Sequence, residues 1–284
     1  MLEQINSETY QPNELTIPLA ITYDNMLLEN EQTKNLIITL EKNEWEYSVI
    51  RIDKEYKNHS HKVLGYLEFL KTLPKEKVVV LMDSRDVFCT RNSMFFMKEF
   101  KKLKYDIAVS LEIWCDKSLD VVTEYQPQCL PLVNYWKYHN VKQWPIRKYV
   151  NSGLIVGKVE ELIKMLTFCS ENLNKFQDDQ VLVGLYMNNY PQNIYGDFEA
   201  DLLHTSTFSK GGSVTNMRIQ TYDSPKLGDL LGRGVFFLHF PSLKTKGQTL
   251  MYETVRKLLI EDSFDSNKLN ELYGYTNNQL KQIL

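Results

Sequence analysis

The chain has 284 residues, of which 43% are hydrophobic and 24% charged, and this balance excludes wholesale disorder. Lys and Arg number 33 against 36 Asp and Glu, and the net charge of −3 argues against a dedicated nucleic-acid binder, whose affinity rests on clustered cations. The four cysteines have no metal-finger or redox spacing, so we expect reduced thiols. The length fits one large α/β domain with a short appendage.

The first half of the chain alternates strand-like and helix-like segments. Apolar patterns predict strands at residues 17–23, 47–53, 77–82 and 106–111. Helical spacing between them predicts helices that begin near Asn30, Ser60 and Phe95. The continuous apolar run at 77–82 is typical of a central parallel strand covered on both faces. This order predicts a doubly wound sheet.

The second half is less regular. Residues 114–145 are rich in Tyr, Trp and Pro, which favours a loop excursion of the kind where α/β enzymes bind acceptors. Beyond it we expect a strand at 148–156, helices near 160–173 and 179–187, and short strands at 201–204, 217–221 and 235–240. The expected division is an arm at 1–16, one domain at 17–246 and a helical tail at 247–284 packed on that domain.

Asp83 and Asp86 are the strongest local signal because they directly follow the apolar strand at 77–82. Ligands of open α/β sheets bind beyond the carboxyl ends of the strands. Two carboxylates there suit a hard divalent cation that leaves room for substrate phosphates. The alternative is a pair of turn-forming aspartates that cap the next helix. Spacing alone slightly favours that alternative, whereas the position after a buried strand favours a metal.

Other polar residues have an ordinary structural explanation beside a functional one. Asp178 and Asp179 suit the first turn of a helix through its dipole, and Lys62 in a first turn is most simply a solvated side chain. His239 ends an apolar strand, where a histidine is more often a hydrogen-bonded core residue than a ligand. Gly153 lies inside a strand-like run, where it permits either a simple bulge or a close approach of the backbone.

Taken in order, these segments resemble the N-terminal glycosyltransferase domain of the procollagen lysyl hydroxylases, which has a GT-A fold. The resemblance covers roughly residues 17–246 and rests on six blocks in the same order: HKVLGYLEFL, VVVLMDSRDVF, VSLEIWCD, KYVNSGLIVG, DDQ and FLHF. It implies a single domain with a GT-A-like, Rossmann-type mixed sheet flanked by helices. The second block matches the family's DxxD metal motif at Asp83 and Asp86.

The resemblance also implies a set of site residues. The implied ligands of Mn²⁺ are Asp83, Asp86 and His239. The implied catalytic residues are Asn151, Asp178 and Asp179. The residues implied to bind the UDP-sugar are Thr22, Lys62, Ser84, Glu112, Trp114, Ser152, Gly153, Gln180 and Lys244.

The implied reaction is Mn²⁺-dependent transfer of a glucose- or galactose-type hexose from a UDP-sugar to a hydroxyl group, with retention of configuration. The implied acceptor is hydroxylysine or galactosyl-hydroxylysine in a collagen-like protein. Three departures bear on donor and acceptor: the family's acidic run is reduced to two aspartates, Asp116 replaces a tryptophan, and Phe-Pro-Ser follows His239 in place of Gly-Asn-Gly. The chain resembles a stand-alone version of the domain, such as giant viruses of the mimivirus type carry.

Two other functions stay open. A non-catalytic sugar- or collagen-binding module has the same sequence signature, since a fold alone does not establish activity. A metal-dependent phosphohydrolase would use paired aspartates, but it more naturally shows a nucleophilic DxD followed by Thr, which DSRD lacks. The absence of GxGxxG after the first strand argues against a dinucleotide-dependent oxidoreductase.

The sequence also bears on location. No apolar run reaches the length of a membrane span, and the first residues lack the basic and then apolar order of a secretion signal. We therefore expect a cytoplasmic protein without a membrane partner, located in the host cytoplasm or the virion if it is viral.

Overall fold

The structure of the protein is a computed structural model, and it describes residues 17–24, 30–51, 60–112, 130, 132–140, 147, 149–199, 201–205, 235–241 and 246–261. Its strands are β1 (Leu19–Asp24), β2 (Glu46–Arg51), β3 (Val78–Asp83), β4 (Val87–Cys89), β5 (Ile107–Glu112), β6 (Tyr149–Lys158), β7 (Tyr195–Asp197), β8 (Leu203–Thr205) and β9 (Phe237–His239). Its helices are α1 (Glu31–Lys42), α2 (Ser60–Leu70), α3 (Ser93–Lys102), α4 (Val133–Tyr138), α5 (Val159–Glu171), α6 (Asp179–Asn189) and α7 (Lys246–Ile260). The predicted arm at 1–16, the predicted strand at 217–221 and the chain beyond 261 lie outside the described residues.

Six strands form the main sheet, in the order β2-β1-β3-β6-β5-β7. β1 pairs in parallel with β2 and β3, and β5 pairs in parallel with β7, whereas β6 is antiparallel to its neighbours β3 and β5. The sheet is therefore mixed, and β3, expected to be a central parallel strand, has a parallel neighbour on one side only. The apolar run of β3 indicates that both faces of this strand are buried, but it does not indicate the direction of a neighbouring strand.

Helices cover both faces of the main sheet, and this accounts for the uniformly apolar β3. On one face, Val79 and Leu81 pack with residues of α2, α5 and α6. On the other face, Val80 and Met82 pack with residues of α1, α3 and a second, smaller sheet. Together these layers form one mixed α/β domain. None of the helices in the described ranges has both the length and the apolar character needed to cross a membrane.

The smaller sheet has the strand order β4-β9-β8. The predicted strands at 201–204 and 235–240 correspond to β8 and β9, whereas β4 and the pairing of the three strands were not predicted. Val87 of β4 pairs antiparallel with His239 of β9, and Thr205 of β8 pairs in parallel with the same histidine. The hydroxyl groups of Thr205 and Ser110 share a buried hydrogen bond of 2.5 Å, which joins the smaller sheet to β5 of the main sheet. With three residues, β4 is too short to show the alternation from which a strand is predicted.

Helix α7 packs on α1 beside the smaller sheet. Its Tyr252 contacts Phe88 of β4, with ring centroids 4.7 Å apart, and its phenol oxygen accepts a hydrogen bond of 3.0 Å from Asn35 Nδ2 of α1. Lys42 Nζ donates to the carbonyl oxygen of Leu259 at 3.0 Å, one of the last carbonyls of α7, which no helical N–H can satisfy. These contacts hold α7 against the strands that carry part of the candidate site.

Replacement of Tyr252 by phenylalanine tests the attachment of α7. We expect Tyr252→Phe to lower the free energy of unfolding by about 1–3 kcal/mol, because the buried Asn35 amide loses its partner. The matched control is Tyr138→Phe, at a tyrosine that is 57% exposed, with an expected change below about 0.5 kcal/mol. Urea unfolding followed by circular dichroism measures both, and equal stabilities of the two variants would contradict the prediction.

Candidate functional site

Strand β3 ends at Asp83, and the backbone just before this residue is held from two sides. The carbonyl oxygen of Met82 accepts hydrogen bonds from Thr22 Oγ1 at 2.9 Å and from the phenol of Tyr66 at 2.8 Å. Both donors are buried, and they belong to different elements, β1 and α2. The carboxylate of Asp83 therefore lies at a well-defined point of the carboxyl edge of the sheet, where ligands of α/β proteins bind.

The smaller sheet brings Asp86 and His239 together. Val87, which follows Asp86, pairs with His239, and the N–H of Phe240 donates to the carbonyl oxygen of Asp86 at 2.8 Å. The next helix, α3, begins after Asn92, whose side chain accepts a backbone hydrogen bond of 2.8 Å in the first turn. The alternative in which the aspartates cap that helix is therefore wrong.

Asp83, Asp86 and His239 form a compact group in which one ligand atom from each lies within 4.8 Å of the others. His239 Nε2 is 3.3 Å from Asp86 Oδ1 and 3.5 Å from Asp83 Oδ2. Burial opposes a charged imidazole, but the carboxylates of Asp86 and Asp83 outweigh it and raise the pKa of His239 above its ordinary value. Both ring nitrogens are buried, and Nε2 faces two carboxylates, so the surroundings of His239 differ from those of a histidine in an ordinary core.

A bulge in β6 lies beside this group. The register between β5 and β6 shifts where four residues of β6, 151–154, face one residue of β5. Extra residues in one strand disrupt the ladder and re-aim side chains, and such bulges are common next to functional sites. Asn151 in the bulge accepts through Oδ1 from the N–H of Gly153 at 3.0 Å and donates through Nδ2 to Glu112 Oε2 at 3.2 Å.

Gly153 lies in direct contact with the compact group. A Cβ at this position would lie 2.2 Å from His239 Cε1 and 2.7 Å from Asp83 Oδ2, distances that no side chain tolerates. The glycine therefore permits a close approach of the backbone to the carboxylate and the imidazole. The sequence left two explanations of Gly153 open, a bulge and a close approach of the backbone, and the structure shows both.

Lys62, on α2, is buried between two carboxylates. Its Nζ lies 2.6 Å from Asp83 Oδ1 and 2.9 Å from Asp179 Oδ2, and it also donates to the carbonyl oxygen of Ser152 at 3.2 Å. Burial opposes the charged form, but Asp179 and Asp83 outweigh it and hold the pKa of Lys62 well above its ordinary value. At 7% exposure, Lys62 is not the solvated side chain that its position in the sequence suggests.

The two neighbouring aspartates of α6 differ in their contacts. Asp178 caps the helix, since its Oδ1 accepts a hydrogen bond of 3.1 Å from the N–H of Val181. Asp179 is buried and faces Lys62. Asp178 therefore has the ordinary structural role of a helix cap, whereas Asp179 contacts Lys62, another residue of the candidate site.

Glu112 is the last residue of β5, and it contacts Gln180, the residue that follows Asp179 in α6. Its carboxylate accepts hydrogen bonds from Asn151 Nδ2 at 3.2 Å and from Gln180 Nε2 at 3.4 Å. Burial raises the pKa of Glu112 to about 7, although both hydrogen bonds and the charge of His239 oppose the shift. A buried carboxyl group that changes charge near neutral pH is typical of functional sites.

The remaining predicted residues are placed as follows. Ser84 and Ser152 are buried beside the aspartates, and a donor contact of their hydroxyls stays a prediction. Trp114 and Lys244 lie outside the described residues. Tyr66 is a residue of the site that the sequence analysis missed. It lies one helical turn after Lys62, and this i, i+4 spacing on a helix already carrying a site residue was the available signal.

No protein-family model matches the chain, and no curated protein matches it. Among solved structures, the fold is similar to that of a glycosyltransferase involved in the glycosylation of the major capsid of PBCV-1. The TM-score is 0.50 and the sequence identity 10%, over 84% of this chain and 98% of the other. Such an identity shows the fold alone, and it confirms the expected GT-A-like arrangement of one mixed sheet flanked by helices. The relationship to the lysyl hydroxylases stays a hypothesis.

Replacement of Gly153 by alanine tests the close approach. Gly153→Ala should weaken Mn²⁺ binding by about tenfold or more, because the added methyl group displaces Asp83 or His239 from the compact group. The matched control is Gly184→Ala in α6, where an added Cβ would meet no atom closer than 3.6 Å. Electron paramagnetic resonance of free Mn²⁺ measures binding, with circular dichroism to check the fold. Unchanged Mn²⁺ affinity in folded Gly153→Ala would overturn the geometric argument.

Replacement of Glu112 by glutamine tests the buried carboxyl group through pH in the metal-free protein. Its pKa of about 7 exceeds the ordinary 4.5, so between these values the folded state holds a proton that the unfolded state has released. The resulting stabilisation is fully present below about pH 4.5 and is lost as the pH rises through about 7. Relative to Glu112→Gln, the parent should lose on the order of 2 kcal/mol of unfolding free energy between roughly pH 5 and 8.

Urea unfolding of both proteins with a chelator present, at several pH values, measures this difference. The matched control is Glu199→Gln, at an exposed glutamate, which should follow the parent at every pH. A constant difference between the parent and Glu112→Gln across the range would show that Glu112 does not titrate there.

Proposed function

We propose that the protein is a Mn²⁺-dependent glycosyltransferase that transfers a hexose from a UDP-sugar to a hydroxyl group. The observation that carries this proposal is the meeting of Asp83, Asp86 and His239 at the carboxyl edge of the sheet, beside the buried acidic residues Asp179 and Glu112. The likeness in fold to a viral glycosyltransferase supports the same class of reaction.

The residues present fit a first-row divalent cation. Two carboxylates and an imidazole suit Mn²⁺, whereas Mg²⁺ and Ca²⁺ prefer oxygen ligands alone. The buried imidazole of His239 faces the carboxylates of Asp83 and Asp86, and Gly153 keeps the space beside it free of a side chain. When bound, the ion supplies Lewis-acid stabilisation of the negative charge that develops on the departing UDP.

The charge of the described site also suits a divalent cation. Asp83, Asp86 and Asp179 are three carboxylates, and the single ammonium of Lys62 contacts only two of them, Asp83 and Asp179. Like charges this close destabilise one another in a partly buried site. A divalent cation would balance them.

Glu112, Asn151, Asp179 and Gln180 form the proposed sugar pocket. Carboxylates and amides bind sugar hydroxyls well, since a carboxylate accepts charge-assisted hydrogen bonds and an amide both donates and accepts. Lys62 holds Asp179, and Asn151 and Gln180 hold Glu112, so these groups are oriented before a ligand arrives. Orientation in advance lowers the entropy that positioning a substrate would otherwise cost.

The finer features of the proposal come from the lysyl hydroxylase resemblance. They are a glucose- or galactose-type donor, a hydroxylysine or galactosyl-hydroxylysine acceptor in a collagen-like protein, and retention of configuration. Asn151, Asp178 and Asp179 are the proposed catalytic residues. Most of the region proposed to bind the acceptor, 114–145, lies outside the described residues.

A panel of UDP-sugars with Mn²⁺ tests the reaction, with free UDP as the readout and hydroxylysine-containing peptides, with and without galactose, as acceptors. UDP release that requires one hexose and increases with an acceptor peptide would support the transferase. Binding of a UDP-sugar without UDP release under every condition would contradict it and favour a sugar-binding module. Release of inorganic phosphate in place of UDP would instead indicate a phosphohydrolase.

Replacement of Asp86 by asparagine tests the metal centre of the enzyme. Asp86→Asn should lower the transfer rate by at least about 100-fold, since groups that merely support metal ligands already contribute about 10–100-fold. The matched control is Asp106→Asn, at an exposed aspartate that precedes β5 at the opposite edge of the sheet, and its rate should equal that of the parent. A near-parental rate for Asp86→Asn would refute the metal assignment.

A further inference from the structure

The ammonium of Lys62 contacts three oxygen atoms of the protein. It donates hydrogen bonds to Asp83 Oδ1 at 2.6 Å and to the carbonyl oxygen of Ser152 at 3.2 Å, and it forms an ion pair with Asp179 Oδ2 at 2.9 Å. The side chain is buried, so these protein atoms surround the ammonium in place of bulk water.

The two carboxylates that Lys62 joins belong to different parts of the site. The Oδ2 atom of Asp83 faces His239 Nε2 at 3.5 Å, within the compact group that suits a metal, while its Oδ1 atom contacts Lys62. Asp179 lies on the other side of the ammonium, in the proposed sugar pocket. One cation therefore connects the group that would hold the metal to the group that would hold the sugar.

We propose that Lys62 is a positioning residue that couples metal binding to the sugar pocket. A divalent cation bound at Asp83 competes with the Lys62 ammonium for that carboxylate. Lys62 is then attracted more strongly to Asp179. Conversely, the charge of Asp179 draws Lys62 away from Asp83 and so favours metal binding. Coupling of this kind is reciprocal, so metal binding and occupation of the Asp179 side of the site change one another's affinity by the same factor. The assignment of Asp179 to a sugar pocket rests on the proposed function, but the coupling can be measured through Mn²⁺ binding without any sugar.

The proposal predicts opposite effects of the two partners on Mn²⁺ affinity, measured without any nucleotide. Lys62→Met removes the competing cation, so Mn²⁺ should bind about fivefold or more tightly. Asp179→Asn releases Lys62 to Asp83, so Mn²⁺ should bind about fivefold or more weakly. Because Asp179 acts through Lys62, Asp179→Asn should change the affinity by less than about twofold when Lys62→Met is already present.

The experiment is a double-mutant cycle by electron paramagnetic resonance of free Mn²⁺ on the full chain. Lys71→Met, at an exposed lysine just after α2, is the matched control and should bind Mn²⁺ like the parent. Where Lys62→Met does not fold, Lys62→Gln replaces it, since the amide keeps hydrogen bonding without the charge. Circular dichroism and urea unfolding check the fold of every variant.

The outcomes separate this inference from the proposed function. If Asp179→Asn weakens Mn²⁺ binding equally with and without Lys62, Asp179 acts on the ion directly and the coupling is refuted, while the transferase proposal stands. Tighter binding in Lys62→Met together with a lost effect of Asp179→Asn supports the coupling. A parent protein that binds no Mn²⁺ refutes both the metal centre and the coupling.

Discussion

The backbone of β6 runs against Asp83 and His239 at Gly153, and the rest of the candidate site depends on this close approach. Any Cβ at this point would overlap the imidazole, so a larger residue would separate the carboxylate from the histidine. The contact joins the main sheet to the last residue of β9 in the smaller sheet. The bulge at 151–154 that permits it also directs Asn151 to Glu112. One irregularity in a strand therefore organises both the compact group and the polar pocket.

Buried charge is the second constraint on the site. An ammonium inside a protein is costly unless carboxylates surround it, and Lys62 has two of them within 2.9 Å. Glu112 has amide partners but no described ion pair, and burial accordingly shifts its pKa upward to about 7. Replacement of such groups by well-packed apolar residues is often neutral or stabilising in proteins, so their presence here is better explained by binding and chemistry than by stability.

The likeness to the capsid glycosyltransferase is a likeness in fold, and it gives no information about the residues of the site. The two chains share 10% of their residues over most of their lengths and still have similar folds, because burial patterns and strand pairing tolerate extensive substitution. A fold held in common does not carry an activity with it. In this chain the features that bear on function are the positions and contacts of Asp83, Asp86, His239 and Lys62.

Local patterns in the sequence were enough to locate the main helices and strands and the pair of aspartates after β3. Long periodic or uniformly apolar runs are local properties, so the helices α1, α2, α5 and α6 and the strands β1, β3 and β5 lie within a few residues of their predicted positions. For the same reason Asp83 was correctly expected at the end of a buried strand. The short strands β8 and β9 overlap the predicted strands at 201–204 and 235–240, whereas β4, β7 and the antiparallel direction of β6 were beyond this kind of prediction.

Which polar groups meet depends on the folding of distant segments against one another. The approach of His239 to Asp86 follows from the pairing of Val87 with a residue far along the chain, and the ion pairs of Lys62 follow from the packing of α2 between β3 and α6. From sequence alone, a helix-capping aspartate, a solvated lysine and a core histidine were each the simpler interpretation. Their contacts depend on strand register and helix packing, and these arise from long-range burial that no local pattern encodes.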